Sequence, residues 1–340
     1  MSELRADRWA ARWATAGAAA WAGIAVLARI GIVRVGIIEL LLLFAPLVIV
    51  PLGVELGRVR GEVESDASRL MPSPHLVNLA QLLQPLGAAF AIVAMWLPPG
   101  ESAALAALAW LLVCGLMATA GLIELRDILR SRKELEASPG GEAMAASRIS
   151  NIAAAIAKLD LAVGGAWLVA SRLGMRPFGI QEPIGLLTAV HFHYAGFATA
   201  MIASATLRYA ESRKQQHWLP RVVMAVALLP FAVAAGFVFS PVLKMAAGLA
   251  FSASVVVLAV YIWNYSARAA EDAARRFLRG ASGAVFIAMG LSAAYVIADF
   301  VNSDMLPIPR MASTHGVLNG LGFCLWGLLG WLVETRHNSA

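Results

Sequence analysis

The chain has 340 residues, 60% of them hydrophobic and only 14% charged, with a mean hydropathy of +0.72. A soluble domain is about one quarter charged, so this composition excludes an ordinary soluble enzyme and leaves almost no sequence for a soluble domain. The net charge of +6 does not point to nucleic acid, because cytoplasmic loops of membrane proteins carry surplus Lys and Arg.

The N-terminal stretch Met1 to Trp13 has no short apolar core followed by a small-residue cleavage site, so no cleaved signal peptide is expected. A spanning helix needs about 20 apolar residues. Ten such segments are predicted: 15–33, 35–54, 75–97, 102–124, 151–171, 183–207, 221–239, 242–265, 281–301 and 312–334. Arg29 interrupts the first, and the fifth carries Lys158 and Asp160. Pro46 and Pro51 should kink the second helix and Pro85 the third. The longest connections are 55–74 and 125–150, and Pro139-Gly140-Gly141 marks the latter as flexible. The expected architecture is one all-α transmembrane domain over 1–340, with helices 1–4 within 15–124 and helices 5–10 within 151–334. No internal repeat is evident. The paired broken segments of an inverted-repeat transporter are not matched in the later half.

Loop charge supports ten spans. With the N-terminus inside, 20 of the 27 Lys and Arg residues fall on inner segments and five on the outer side or its edge. The remaining two, Lys158 and Lys244, lie within spans. Every second loop is basic, as the positive-inside rule requires. Removing the fifth span would destroy that alternation. The expectation is therefore a multi-pass protein of the bacterial cytoplasmic (inner) membrane with both termini cytoplasmic. Trp13, Trp96, Trp218 and Trp331 read as interface anchors.

Against this apolar background, His191-Phe192-His193-Tyr194 stands out in the sixth segment. Ionisable side chains in hydrocarbon are costly and mark functional sites by default. Glu39, Asp160, Asp299, His315 and Asn319 join the set, gathered from the midplane toward the outer leaflet. Each also has a structural reading. His315 and Asn319, four apart and beside Gly316 and Gly320, could make a helix–helix hydrogen bond. Asp160 could pair with a neighbouring helix, Glu39 could snorkel, and Asp299 could cap a helix or pair with Arg310. Lys244, Glu182 and Glu124 read as interfacial. His191 and Tyr194, three apart, should share a face, with His193 turned away.

No metal or other cofactor is expected. His191 and His193 are two apart, about 200° around a helix, unlike the spacing of a helical zinc motif. Haem or metal held by His residues of different helices remains an alternative. Cys114 and Cys324 lie in apolar runs with neither metal spacing nor a disulfide framework. Acid–base chemistry needs less machinery: a buried carboxylic acid that keeps its proton, and a His to orient it or accept a proton. Phe192, Phe197, Tyr295 and Phe300 could stabilise a carbocation through their ring faces, although ordinary packing explains them too. The expected function is protonation followed by cyclisation or isomerisation of a lipophilic epoxide, alkene or polyene that enters from the bilayer. Asp160, Glu39 or Asp299 would be the acid, and His191 and His193 would position it or take the final proton. Tyr194, His315 and Asn319 would hold substrate in a cavity lined by helices 2, 5, 6, 9 and 10. A proton-coupled carrier is the rival reading. No nucleotide-binding G-x-x-x-x-G-K-[ST] motif is present.

The stretch Thr188 to Phe197, with its His-Phe-His-Tyr-Ala-Gly-Phe core, resembles the YndJ-like family of bacterial multi-pass membrane proteins. Thr314-His315-Gly316-Val317-Leu318-Asn319-Gly320 and the proline-spaced run from Glu39 to Pro51 are similar to the family as well. The likeness covers most of the chain, and some members are longer at the C-terminus. The family has no established general activity, so the resemblance implies fold and site position rather than chemistry. It points to His191, His193, Tyr194, His315 and Asn319.

Overall fold

The structure, a computed structural model, describes residues 3–58, 72–130, 141–210, 218–303 and 305–339. The described residues are helical and contain no strand. In chain order the helices are α1 (Glu3–Arg29), α2 (Ile37–Arg58), α3 (Pro72–Trp96), α4 (Glu101–Arg130) and α5 (Gly141–Leu173). They continue as α6 (Ile184–Tyr209), α7 (Leu219–Phe239), α8 (Pro241–Ser266), α9 (Asp272–Phe300) and α10 (Ile308–His337). Among the described residues nine helices, α2 to α10, are long and apolar enough to cross a membrane. The protein is thus an all-α polytopic membrane bundle. The predicted first segment lies mostly in α1, a helix of 27 residues, and its end falls in the turn after Arg29. Pro139 and Gly140 of the predicted flexible connection, and the basic residues Arg60, Arg69, Arg132, Lys133, Arg213 and Lys214, lie outside the described residues.

The short connections follow from local chemistry. Pro98 and Pro99 cannot continue α3, and Gly100, at φ +154°, donates its N–H to the carbonyl of Arg172 at 2.7 Å. Ser240 alone separates α7 from α8. Its hydroxyl accepts from the N–H of Leu243 at 3.3 Å, with Pro241 at the first helical position.

The chain packs as two compact units, residues 1–120 with 158–197, and residues 121–157 with 198–340. The first unit is organised on α2, where Leu41, Leu42, Leu43, Phe44, Ile49 and Val50 are buried. The second has α9 and α10 at its core, with Leu278, Val285, Phe323 and Leu328 fully buried.

The prolines of α2 bracket a departure from α-helical bonding. Residues Ala45–Ile49 are π-helical, and Val50 bonds the carbonyl of Ala45 rather than that of Pro46. The next N–H that could reach the Pro46 carbonyl would belong to Pro51, which has none. That carbonyl instead accepts from Nε2 of Gln84 in α3. Similarly, Ala45 bonds the Leu42 carbonyl, and the Leu41 carbonyl accepts from the Tyr194 hydroxyl at 2.7 Å. Two carbonyls released by a Pro-x-x-x-x-Pro spacing are therefore closed by two side chains, as buried backbone requires. The later half also contains π-helical segments, which its sequence does not signal. Phe192–Ala198 in α6, and Ala312–Gly316 and Leu318–Leu325 in α10, are π-helical. A π-segment is a shift of hydrogen-bond partner and needs no proline, so it left no mark there.

Candidate functional site

The first unit holds the contact between α5 and α6. Gly164 of α5 faces His193, and a Cβ built on Gly164 would lie 2.6 Å from Nδ1 of that ring. Reciprocally, a Cβ on Gly196 of α6 would lie 2.7 Å from Cγ of Asp160. Two glycines thus let each helix seat the polar side chain of the other, a close approach that a larger residue would block. Gly164 lies four residues after Asp160 and Gly196 three after His193.

His193 is fully buried and has both ring nitrogens engaged. Its Nδ1–H donates to the Ala189 carbonyl at 2.7 Å, and Nε2 accepts from the indole N–H of Trp110 at 2.9 Å. An indole N–H can only donate, which fixes the proton on Nδ1. The two rings also stack, with centroids 5.9 Å apart and planes 25° from parallel. Trp110 was missed in the sequence reading. The available signal was its place about a third of the way along α4, roughly three turns in from the end where tryptophans normally anchor.

Asp160 is fully buried, and both of its carboxyl oxygens lack a hydrogen-bond partner among the described residues. Buried polar groups are normally bonded, and such an exception calls for an explanation. A lone charge in such a place costs several kcal/mol, on the order of the effective penalty for a buried ion. Among the described residues no hydrogen bond to either oxygen offsets that cost.

The neighbours of His193 divide differently from the prediction. His191 is exposed on the protein surface, its Nδ1–H donating to the Leu187 carbonyl at 2.7 Å. Tyr194 is buried, so the two do not share a face. The reason is the change from α to π geometry after His191, which adds a residue to the turn. Phe192 and Phe197 are buried in the packing, and Phe197 rests on Gly53, where a Cβ would lie 2.5 Å from its ring. Glu39 is half-buried near the end of α2, and with Glu182 its charge acts on the guanidinium of Arg172. Arg172 also donates from Nη2 to the Leu97 carbonyl at 2.8 Å, and Glu182 accepts from the N–H of Leu186 at 3.1 Å.

The second unit holds the remaining predicted residues. Asp299 pairs with Lys244 at 2.6 Å rather than with Arg310. Gly236 permits this, since a Cβ there would lie 2.5 Å from the backbone nitrogen of Lys244. The ammonium also lies 4.8 Å from the centroid of Phe237, and Tyr295 lies within the field of Asp299. His315 donates from Nδ1 to the Ala288 carbonyl at 2.8 Å, tying α10 to α9. Asn319 is buried in the second π-segment of α10. Trp331 is not an interface anchor. It is fully buried, with ring centroids 5.3 Å from Tyr209 and 4.8 Å from Tyr265. Among the described residues no three His, Cys, Asp or Glu side chains converge as a metal-ligand group.

A polytopic helical membrane protein with polar residues seated between its spans is the class this architecture defines. A model of the family described as YndJ-like protein matches residues 40–323, and the chain belongs to that family. It is 27% identical over 190 residues to "Uncharacterized membrane protein YndJ" of Bacillus subtilis (strain 168). The match covers 55% of this chain and 34% of that relative, so the matched stretch spans about a third of the relative's length. No solved structure matches.

Proposed function

We propose that the protein is a membrane-embedded acid–base enzyme in which Asp160 gives a proton to a lipophilic substrate that then cyclises or isomerises. The observation that carries this reading is the Asp160 carboxyl, fully buried with neither oxygen hydrogen-bonded among the described residues. In its acid form it holds a proton in a low-dielectric setting, where donation to an epoxide oxygen or alkene carbon is least opposed by solvent. Asp299 is committed to Lys244, and Glu39 acts on Arg172, which favours Asp160 among the carboxylates. His193 is committed at both nitrogens and serves as a positioning residue for α5 against α6. His191, whose Nδ1 is bonded and whose ring is exposed, is the candidate to accept the final proton. The bilayer delivers an isoprenoid- or polyketide-like substrate, and both termini lie on the cytoplasmic side of the inner membrane.

A second reading is a proton-coupled carrier. The π-segment Phe192–Ala198 directly facing Asp160 favours it, because such segments recur where helices change register at functional sites. One pair of measurements separates the two. Purified protein in detergent is incubated with a panel of isoprenoid epoxides, and products of unchanged mass are sought by chromatography and mass spectrometry. The enzyme reading expects conversion by the wild type and none by Asp160→Asn, with folding intact in both. Equal conversion by Asp160→Asn overturns the assignment. Uptake into vesicles that collapses with the pH gradient, without conversion, selects the carrier.

A further inference from the structure

In the first unit a second set of polar atoms is left over, on α3. Gln81 and Gln84 are three residues apart, so they share a helix face about 4.5 Å apart along the axis. Both are buried, at 6% and 5% exposure. Each amide is pinned at one end. Nε2 of Gln84 donates to the Pro46 carbonyl. The amide cannot turn over, because that would set its oxygen against another acceptor. Oε1 of Gln81 accepts from Nη1 of Arg58, and a guanidinium has donors alone, so this amide is fixed too. What remains is a donor, Nε2 of Gln81, and an acceptor, Oε1 of Gln84, both buried and without a hydrogen-bond partner among the described residues.

We propose that Gln81 and Gln84 form a buried binding site for a neutral hydroxyl group. The ligand must accept from one amide and donate to the other. A carboxylate would face the Gln84 oxygen, and an ammonium would face Arg58 and the Gln81 amide hydrogens. A hydroxyl does both with one oxygen, through two hydrogen bonds of about 2.8 Å. The hydroxyl belongs either to water or to a lipophilic alcohol from the bilayer. The site follows from the Pro-x-x-x-x-Pro break in α2, since the Pro46 carbonyl sets the direction of Gln84. It does not depend on Asp160.

The test is a cryo-electron microscopy structure of the full chain in lipid nanodiscs, at a resolution that shows ordered water. Density within hydrogen-bond distance of both Gln81 Nε2 and Gln84 Oε1 is expected, isolated for water or continuous with an apolar chain for an alcohol. Gln81→Leu should empty the site while Gln84 still reaches Pro46. Gln81→Met, an unbranched side chain of similar length without the amide donor, gives the same result if the leucine variant does not fold. Asp160→Asn should keep the density, so failure of the acid assignment and failure of this site are told apart. Amides without density between them, or turned onto protein partners, overturn the proposal.

Discussion

Asp160 and Asp299 are the same residue type in two apolar helices, and their surroundings differ in kind. In the second unit, Asp299 meets Lys244 at 2.6 Å, near a helix end where both remain partly exposed. In the first, Asp160 meets Gly196, with no hydrogen-bond partner for either oxygen among the described residues. The glycine is there to make room, as Gly236 makes room for Lys244, but it brings nothing to neutralise the acid. A fold can seat a carboxylate between spans by pairing it or by leaving it free, and the unpaired one is where chemistry is the better explanation. His193 and His315 differ less. His193 is closed at both nitrogens by Ala189 and Trp110, whereas His315 has a described bond from Nδ1 to Ala288.

The contrast can be tested by substitution, from the largest effect down. His193→Ala removes a buried ring with two hydrogen bonds and leaves a cavity beside Trp110. Thermal or denaturant unfolding in detergent should show a loss of about 3–5 kcal/mol. Gly164→Val drives a side chain into the same ring and should cost roughly 1–3 kcal/mol through overpacking; an unchanged melting temperature would mean the α5–α6 contact is looser than described. Tyr194→Phe leaves the Leu41 carbonyl unsatisfied and should cost about 1–3 kcal/mol, whereas Phe192→Leu, with no hydroxyl to lose, should cost less. Asp299→Asn breaks a half-exposed pair and should cost no more than about 1 kcal/mol, with Lys244→Met in the same chain returning most of it. Asp160→Asn should change stability least, because no bond is broken, yet it should abolish turnover. A large stability loss for Asp160→Asn would show that a hidden partner holds the carboxyl, and the comparison would fail.

The membrane class was legible in the sequence because length and hydropathy are properties of each segment alone. So were the irregularity of α2 between Pro46 and Pro51 and the oddness of two histidines in hydrocarbon. The pairing of Tyr194 with Leu41 was not legible, because it depends on which carbonyls a π-segment releases and which helix lies opposite. The separation of His191 from Tyr194, expected to share a face, was not legible for a related reason. Face-sharing was counted on a 3.6-residue turn, and the chain leaves that turn immediately after His191. Trp331 went the same way: its position near a segment end suggested the interface, while the stacking of Tyr209 and Tyr265 around it decided burial.

By itself, the sequence determined that this chain is a bundle of membrane helices and which polar residues it carries into them, since burial in lipid is priced residue by residue along one helix. Tertiary structure alone decided which of those residues are satisfied. That outcome depends on the neighbour across a helix contact, whether the Trp110 indole, the Lys244 ammonium or the bare backbone of Gly196, and no spacing along the chain encodes it.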